Sequence, residues 1–233
     1  MNEPTEYVKC QGNSDIQYNQ FTQAVVQKYA YETHASGNFS VRIEKIGTTA
    51  DNEHSIIKLF HEDQLVSHYN ILFASWVRKL TPEAMADINT QAEKMFREEY
   101  FYGVKDCNTL SAILASVQES YFGVDPYEGV VSKAATLWYK IATSQVFHNG
   151  NKRTALLSGI IFLDINGFSL NEPNGNELYE ITKKVANHQF SAKSLESYIL
   201  QRLIVKTYNS IDAAKSATGW AIRMKLNIDN PEN

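Results

Sequence analysis

The residues best suited to chemistry lie in one short run, Gln145-Val-Phe-His-Asn-Gly-Asn-Lys-Arg153, which leads into the apolar stretch Thr154–Ile165. Glycine adopts the positive φ that turns neighbouring amides toward one point, so Asn149-Gly150-Asn151 can form an anion-binding nest. A helix starting there adds its unsatisfied first-turn amides and the positive end of its dipole. Lys152 adds a point charge and Arg153 a planar donor fork, the pairing that phosphate groups select. Such a loop calls for an acid or base beside it. Gln145 stands before it with no titratable nitrogen, and it can only hydrogen-bond and orient. His148, three residues on, is of the residue type that serves as a base near neutral pH, but it needs a shifted loop to bring its ring inward. The competing reading is an Asn-Gly turn followed by a solvated Lys-Arg pair.

The surrounding pattern indicates what must position this loop. Val131, Ala134, Ala135, Trp138 and Ile141 fall at helical spacing before it. Thr154–Ile165 is apolar all round, as in a helix buried on every side, and Asn166-Gly167 is a left-handed stop. Upstream, Leu110, Ile113, Leu114 and Val117 mark another helix. Thr81-Pro82-Glu83 opens a charge-rich one with a solvated face. Two more helices are expected around Leu178–Ala186 and Leu195–Leu203.

The first eighty residues differ. Residues 1–18 read as a loose tail, and a helix follows from Gln20 to about Thr33, broken at Gly37. Phe39–Gly47 and the stretch Ser55–Phe73, turning at Glu62-Asp63, read as short strands in a small antiparallel meander. His54, His61 and His68 recur every seven residues, which on strands puts neighbours on opposite faces and argues against a metal site. The expected organisation is an N-terminal extension over 1–80, a helical domain over 81–205 and a partly ordered tail over 206–233, with Asn227–Asn233 frayed.

The chain has 233 residues, 43% hydrophobic and 21% charged, with net charge −4. That suits a globular protein and disfavours a broad nucleic-acid footprint. Two distant cysteines, no apolar leader and no membrane-length run fit a reduced, cytoplasmic setting without membrane insertion.

The segment Phe147-His-Asn-Gly-Asn-Lys-Arg-Thr-Ala155, with Phe162-Leu163 and Asn166-Gly167, resembles the signature of the Fic/Doc family, and of its death-on-curing (Doc) branch in particular. That signature reads His-x-Phe-x-Asp/Asn-Gly/Ala-Asn-Lys-Arg-Thr-Ala, then an apolar helix ending in Asn-Gly. Gly103-Val-Lys-Asp106 through Phe122-Gly123 is similar to the branch's opening, so the resemblance covers roughly residues 100–200. Residues 1–80 have no counterpart. The resemblance implies a mainly α, compact helical domain with the loop between two central helices, joined here to an N-terminal α+β extension containing a small antiparallel sheet.

Members of this family use ATP or another nucleotide to modify a protein hydroxyl, and Lys152 places the chain with the phosphate-transferring Doc branch rather than with AMP transferases. The resemblance implies a toxin–antitoxin setting, an antitoxin partner and translation elongation factor Tu as the class of target. By position, Asn149, Gly150, Asn151, Lys152 and Arg153 would hold the phosphates, Arg153 would neutralise charge during transfer and Phe147 would anchor the loop. Asn149 stands at the acidic magnesium-holding position and brings no charge, so Mg2+ binding should be weak. Gln145 stands where the family has its catalytic His. Loss of a general base costs about 10²–10⁴-fold, so an impaired transferase and an inactive nucleotide- or protein-binding module are both open. Thr49-Ala-Asp-Asn-Glu53 has the spacing of the family's inhibitory helix but is followed by His54 and lies among strand signals, so it is not taken as that helix.

Overall fold

The computed structural model describes residues 4–12, 14–49, 52–95, 101–171 and 174–216. They group into two compact units. The fold is mainly α with a sheet in its N-terminal part, as expected.

One unit holds the described residues up to Val77, with Asp164–Asn171 and those from Arg202 on. Strand β1 (Tyr7–Gln11) leads into helix α1 (Asp15–Thr33). Ser14 caps α1 by accepting from Gln17 N at 3.2 Å, and the helix ends at His34, whose φ is +54°. Then β2 (Phe39–Thr49), β3 (Asn52–His61) and β4 (Gln64–Ala74) form the antiparallel meander. Glu62 and Asp63 turn β3 into β4 with φ of +47° and +63°, the paired left-handed conformation of a tight hairpin. Thr49 and Glu53 both lie in this β2–β3 ladder, where Thr48 faces Glu53.

The expectation of a loose tail over 1–18 is corrected twice: residues 15–18 already belong to α1, ahead of the expected start at Gln20, and residues 7–11 are extended. They form a central strand, parallel to β4 and antiparallel to β7 (Thr207–Tyr208), in a five-stranded mixed sheet ordered β2-β3-β4-β1-β7. Val8, Lys9, Cys10 and Gln11 are all buried. A strand covered on both faces shows no alternation, and its polar Lys9 and Gln11 hide it further. Lys9 places its ammonium over the Tyr208 ring, 4.9 Å from the centroid, a cation–π arrangement. Gly167, at φ +86°, lets the chain pass Lys9: a Cβ there would lie 2.7 Å from Lys9 Cβ. Cys10 and Cys107 are free thiols, and burial pushes the Cys10 thiol up to about 12. His61 stacks on Phe39, whereas His68 stands opposite Lys58.

The other unit holds Arg78–Leu163 and the described residues within 172–201. It contains α2 (Pro82–Met95), α3 (Cys107–Gln118), α4 (Gly129–Ala142), most of α5 (Asn151–Ile165), α6 (Gly175–Ala186) and most of α7 (Ala192–Arg202). Thr81 caps α2, its hydroxyl accepting from Ala84 N. The predicted stripes of α3 and α4 are buried throughout. Trp138 of α4 donates to Thr182 Oγ1 of α6 at 3.0 Å, fastening the two helices. α5 is buried nearly all round, as its composition demands, and stops at Gly167. The first unit also holds β5 (Phe168–Leu170) paired with β6 (Leu203–Val205), then β7 and α8 (Ile211–Ser216). The stretch Asn227–Asn233, expected to be frayed, lies outside the described residues. No helix among the described residues is long and apolar enough to cross a membrane.

Candidate functional site

The loop between α4 and α5 is fixed by its own polar groups before any ligand enters. Val146 O accepts from the amides of Lys105 and Asp106, His148 N donates to Gly103 O at 3.0 Å, and Phe147 bridges antiparallel to Val104. The loop therefore lies along residues 103–106 as a short two-stranded contact. Phe147 is fully buried beneath it. Asn151 closes the turn: its Oδ1 accepts from Phe147 N at 2.9 Å and its Nδ2 donates to Phe147 O at 3.0 Å. A side-chain amide here copies a backbone pairing, so Asn151 shapes the loop. Asn149 Oδ1 accepts from Gly150 N at 2.8 Å, and α5 begins as Thr154 N donates to Gly150 O.

Gly150 is required twice over. Its φ of +72° is left-handed, and a Cβ would stand 1.9 Å from Glu93 Oε1. The sequence pattern does not single out Glu93 or Asn89. Both are fully buried on α2. Asn89 Nδ2 donates to Asn149 O and to Thr154 Oγ1, each at 2.9 Å, and its Oδ1 accepts from Gly103 N at 2.8 Å. One amide thus joins α2, the 103 segment, the loop and the start of α5. Glu93, one turn on, places Oε1 3.5 Å from Arg153 Nε. The overlooked signal is positional: Asn89 and Glu93 lie on the helical stripe of Met85, Ile88 and Ala92, all buried. The charge density of this helix suggests a solvated face, and Glu93 is the exception.

Every candidate residue reaches one cavity of about 350 Å³, whose wall includes Gln145, His148 and Asn149 through Arg153, together with Tyr179, Ala186 and Asn187. Lys152 is exposed and Arg153 half-buried. The first-turn amides of α5 end at the same place, where the helix dipole favours an anion. Gln145 is exposed, and its Oε1 accepts from Asn151 Nδ2 at 3.3 Å. His148 is also exposed, with its ring packed against Phe101 at a centroid distance of 4.5 Å. The arrangement can bind an anion and orient a polar group beside it. A proton acceptor at position 145 is missing.

Residues 72–163 match the model of the Fic/DOC family. The chain is also similar to Toxin Doc of Mycolicibacterium smegmatis, with 40% identity over 67 residues, 29% of this chain and 52% of that protein. It thus spans about half the length of the curated relative that it matches. The match takes in α2, α3, α4, the loop and most of α5, the elements that carry Asn89, Glu93, Gln145 and Arg153. Residues 72–163, about two fifths of the chain, are thus similar to the Fic/DOC family.

Proposed function

We propose that this chain is a Doc-like protein that holds the phosphates of a nucleotide, ATP foremost, and transfers the terminal phosphate to a protein hydroxyl slowly. The observation that carries this reading is convergence: the Gly150 turn, the α5 N-terminus, Lys152 and Arg153 meet at one cavity. Transfer would run by attack of the target hydroxyl oxygen on the terminal phosphorus. The bond to the bridging oxygen breaks, and ADP leaves with that electron pair. Arg153 and the helix amides offset charge on the phosphoryl oxygens, and such electrostatic positioning is the main protein contribution to this chemistry. The hydroxyl proton passes to water, because Gln145 cannot take it; this accounts for slow turnover.

At the position expected to hold magnesium the loop brings a neutral oxygen, Asn149 Oδ1, which already accepts from Gly150 N. Mg2+ asks for carboxylates and phosphate oxygens, so these residues do not make a site for it by themselves. The same reading carries a cytoplasmic toxin–antitoxin setting, an antitoxin partner and an elongation-factor target; AMP transfer is the less favoured reaction, because of Lys152. A second reading, binding without turnover, is favoured by Gln145: its carbonyl is tied to Asn151 and it has no titratable group.

The test is incubation with ATP labelled on the terminal or the α-phosphate, Mg2+ and a cell lysate, using wild type, Gln145→His and Arg153→Ala. Slow terminal-phosphate transfer by wild type, raised about 10²–10⁴-fold by Gln145→His and abolished by Arg153→Ala, is expected. Binding of ATP with transfer only by Gln145→His would favour the second reading. Absence of nucleotide binding in every variant would reject both.

A further inference from the structure

The five-stranded sheet ends on β2, and among the described residues β3 is its one strand neighbour. The edge is eleven residues long. A long edge presents a row of main-chain donors and acceptors ready to pair with another chain. Which groups point outward follows from the ladder. Glu62 N donates to Asn38 O, which makes 38 and 62 a hydrogen-bonded pair. Bonded and non-bonded pairs alternate in antiparallel sheets. In the β2–β3 register, where Phe39 faces His61 and Ile43 faces Ile57, residues 40, 42 and 44 therefore turn their amides and carbonyls toward β3. Residues 39, 41, 43 and 45 turn theirs outward.

The side chains add a sign pattern. Arg42 and Glu44 are exposed on one face of the strand. Arg42 lies over the Phe60 ring, and Glu44 Oε2 lies 2.6 Å from Lys58 Nζ. Edge strands are commonly blunted by charges of one sign, which repel a second copy. Here the signs alternate, so one register is self-matching. A two-fold axis at Ile43 makes Ile43 pair with its counterpart through outward main-chain groups. It sets Arg42 of each copy opposite Glu44 of the other. Those are non-hydrogen-bonded positions, where facing side chains come closest. Glu44 would then lie between Lys58 of its own chain and Arg42 of the second. An axis at Lys45 would oppose lysine to lysine. One at Val41 would leave both charges opposite neutral residues. One at Arg42 or Glu44 would oppose like charges and use groups already given to β3.

We propose that β2 is the surface on which a second copy of this chain docks, antiparallel and centred on Ile43, continuing the sheet across the two-fold axis. The register shift between Lys45 and Gly47 limits close pairing to Val41–Lys45. The dimer is therefore small and weak, the kind that exchanges readily.

Sedimentation velocity of the full chain, from dilute protein to about 100 µM, a range that reports weak association, is the test. Wild type should shift from monomer to dimer across it. Arg42→Glu alone and Glu44→Arg alone should each remain monomeric, because each opposes like charges. An equimolar mixture of the two should dimerise at least as well as wild type, since each introduced charge then meets its opposite on the other copy. A variant that had merely misfolded would not recover on mixing. Three outcomes overturn the proposal: wild type monomeric at the highest concentration, leaving the edge to an extended segment of another protein; either single variant as dimeric as wild type; or a mixture that stays monomeric.

Discussion

Lys133–Asp125 and Arg153–Glu93 are both ion pairs with a deeply buried member, yet they are built in opposite senses. In the first the cation is buried. Lys133 Nζ lies 2.6 Å from Asp125 Oδ1 and 3.1 Å from Val117 O, so it fastens α4 to the end of α3 and the loop beyond. In the second the carboxylate is buried and the cation borders a cavity. Arg153 Nε stands 3.5 Å from Glu93 Oε1, longer than a charge-assisted hydrogen bond. A cation held at full hydrogen-bonding distance by carboxylate and carbonyl is a structural fastener. The Arg153 cation instead borders a cavity, beside the first-turn amides of α5, which is where the proposed function needs it to meet an anion.

This contrast is broken most forcefully at the fastener. Lys133→Ala leaves Val117 O without its donor and Asp125 without its cation. Because Asp125 is about a third exposed, the expected loss is about 2 kcal/mol rather than the larger cost of a fully buried orphan. Denaturant unfolding should show it as a lower midpoint, while the folded fraction binds ATP as wild type does. Unchanged stability would remove the distinction between the two pairs. A smaller effect sharpens the contrast at the site. Glu93→Gln keeps the shape of the side chain and removes the counter-charge beside Arg153. ATP affinity, measured by calorimetry, should rise several-fold. A fall would mean that Glu93 serves Arg153 more by orienting it than it opposes phosphate.

Much of the site is legible because its signal is local. Asn149 through Arg153 form a turn, a helix start and two cations in unbroken sequence, and the structure brings all five to one cavity with Gln145 and His148. The helices of the 78–163 region are equally readable, since α3 and α4 carry apolar stripes and α2 has Thr81 as its cap. What escapes depends on distant partners. Asn89 and Glu93 look like ordinary helix polars until the loop sixty residues on packs against them. Asn151, expected among the phosphate ligands, has a second task that its residue type does not announce, holding Phe147's backbone with its side-chain amide. β1 is hidden because a strand covered on both faces loses its alternation, and β5, β6 and β7 are too short to have any. The meander is readable in its turn, Glu62-Asp63, but not in its extent, because the parallel partner β1 is separated from β4 by more than fifty residues.

In the proposed function the loop holds a nucleotide by its phosphates through Arg153. Calorimetric titration of ATP into wild type and Arg153→Ala, with folding of both verified by circular dichroism, tests it most directly. Wild type should bind saturably, and the variant should lose at least about tenfold in affinity, the worth of one charged hydrogen-bond partner. Equal affinity in the two proteins, or no binding by wild type, would contradict it.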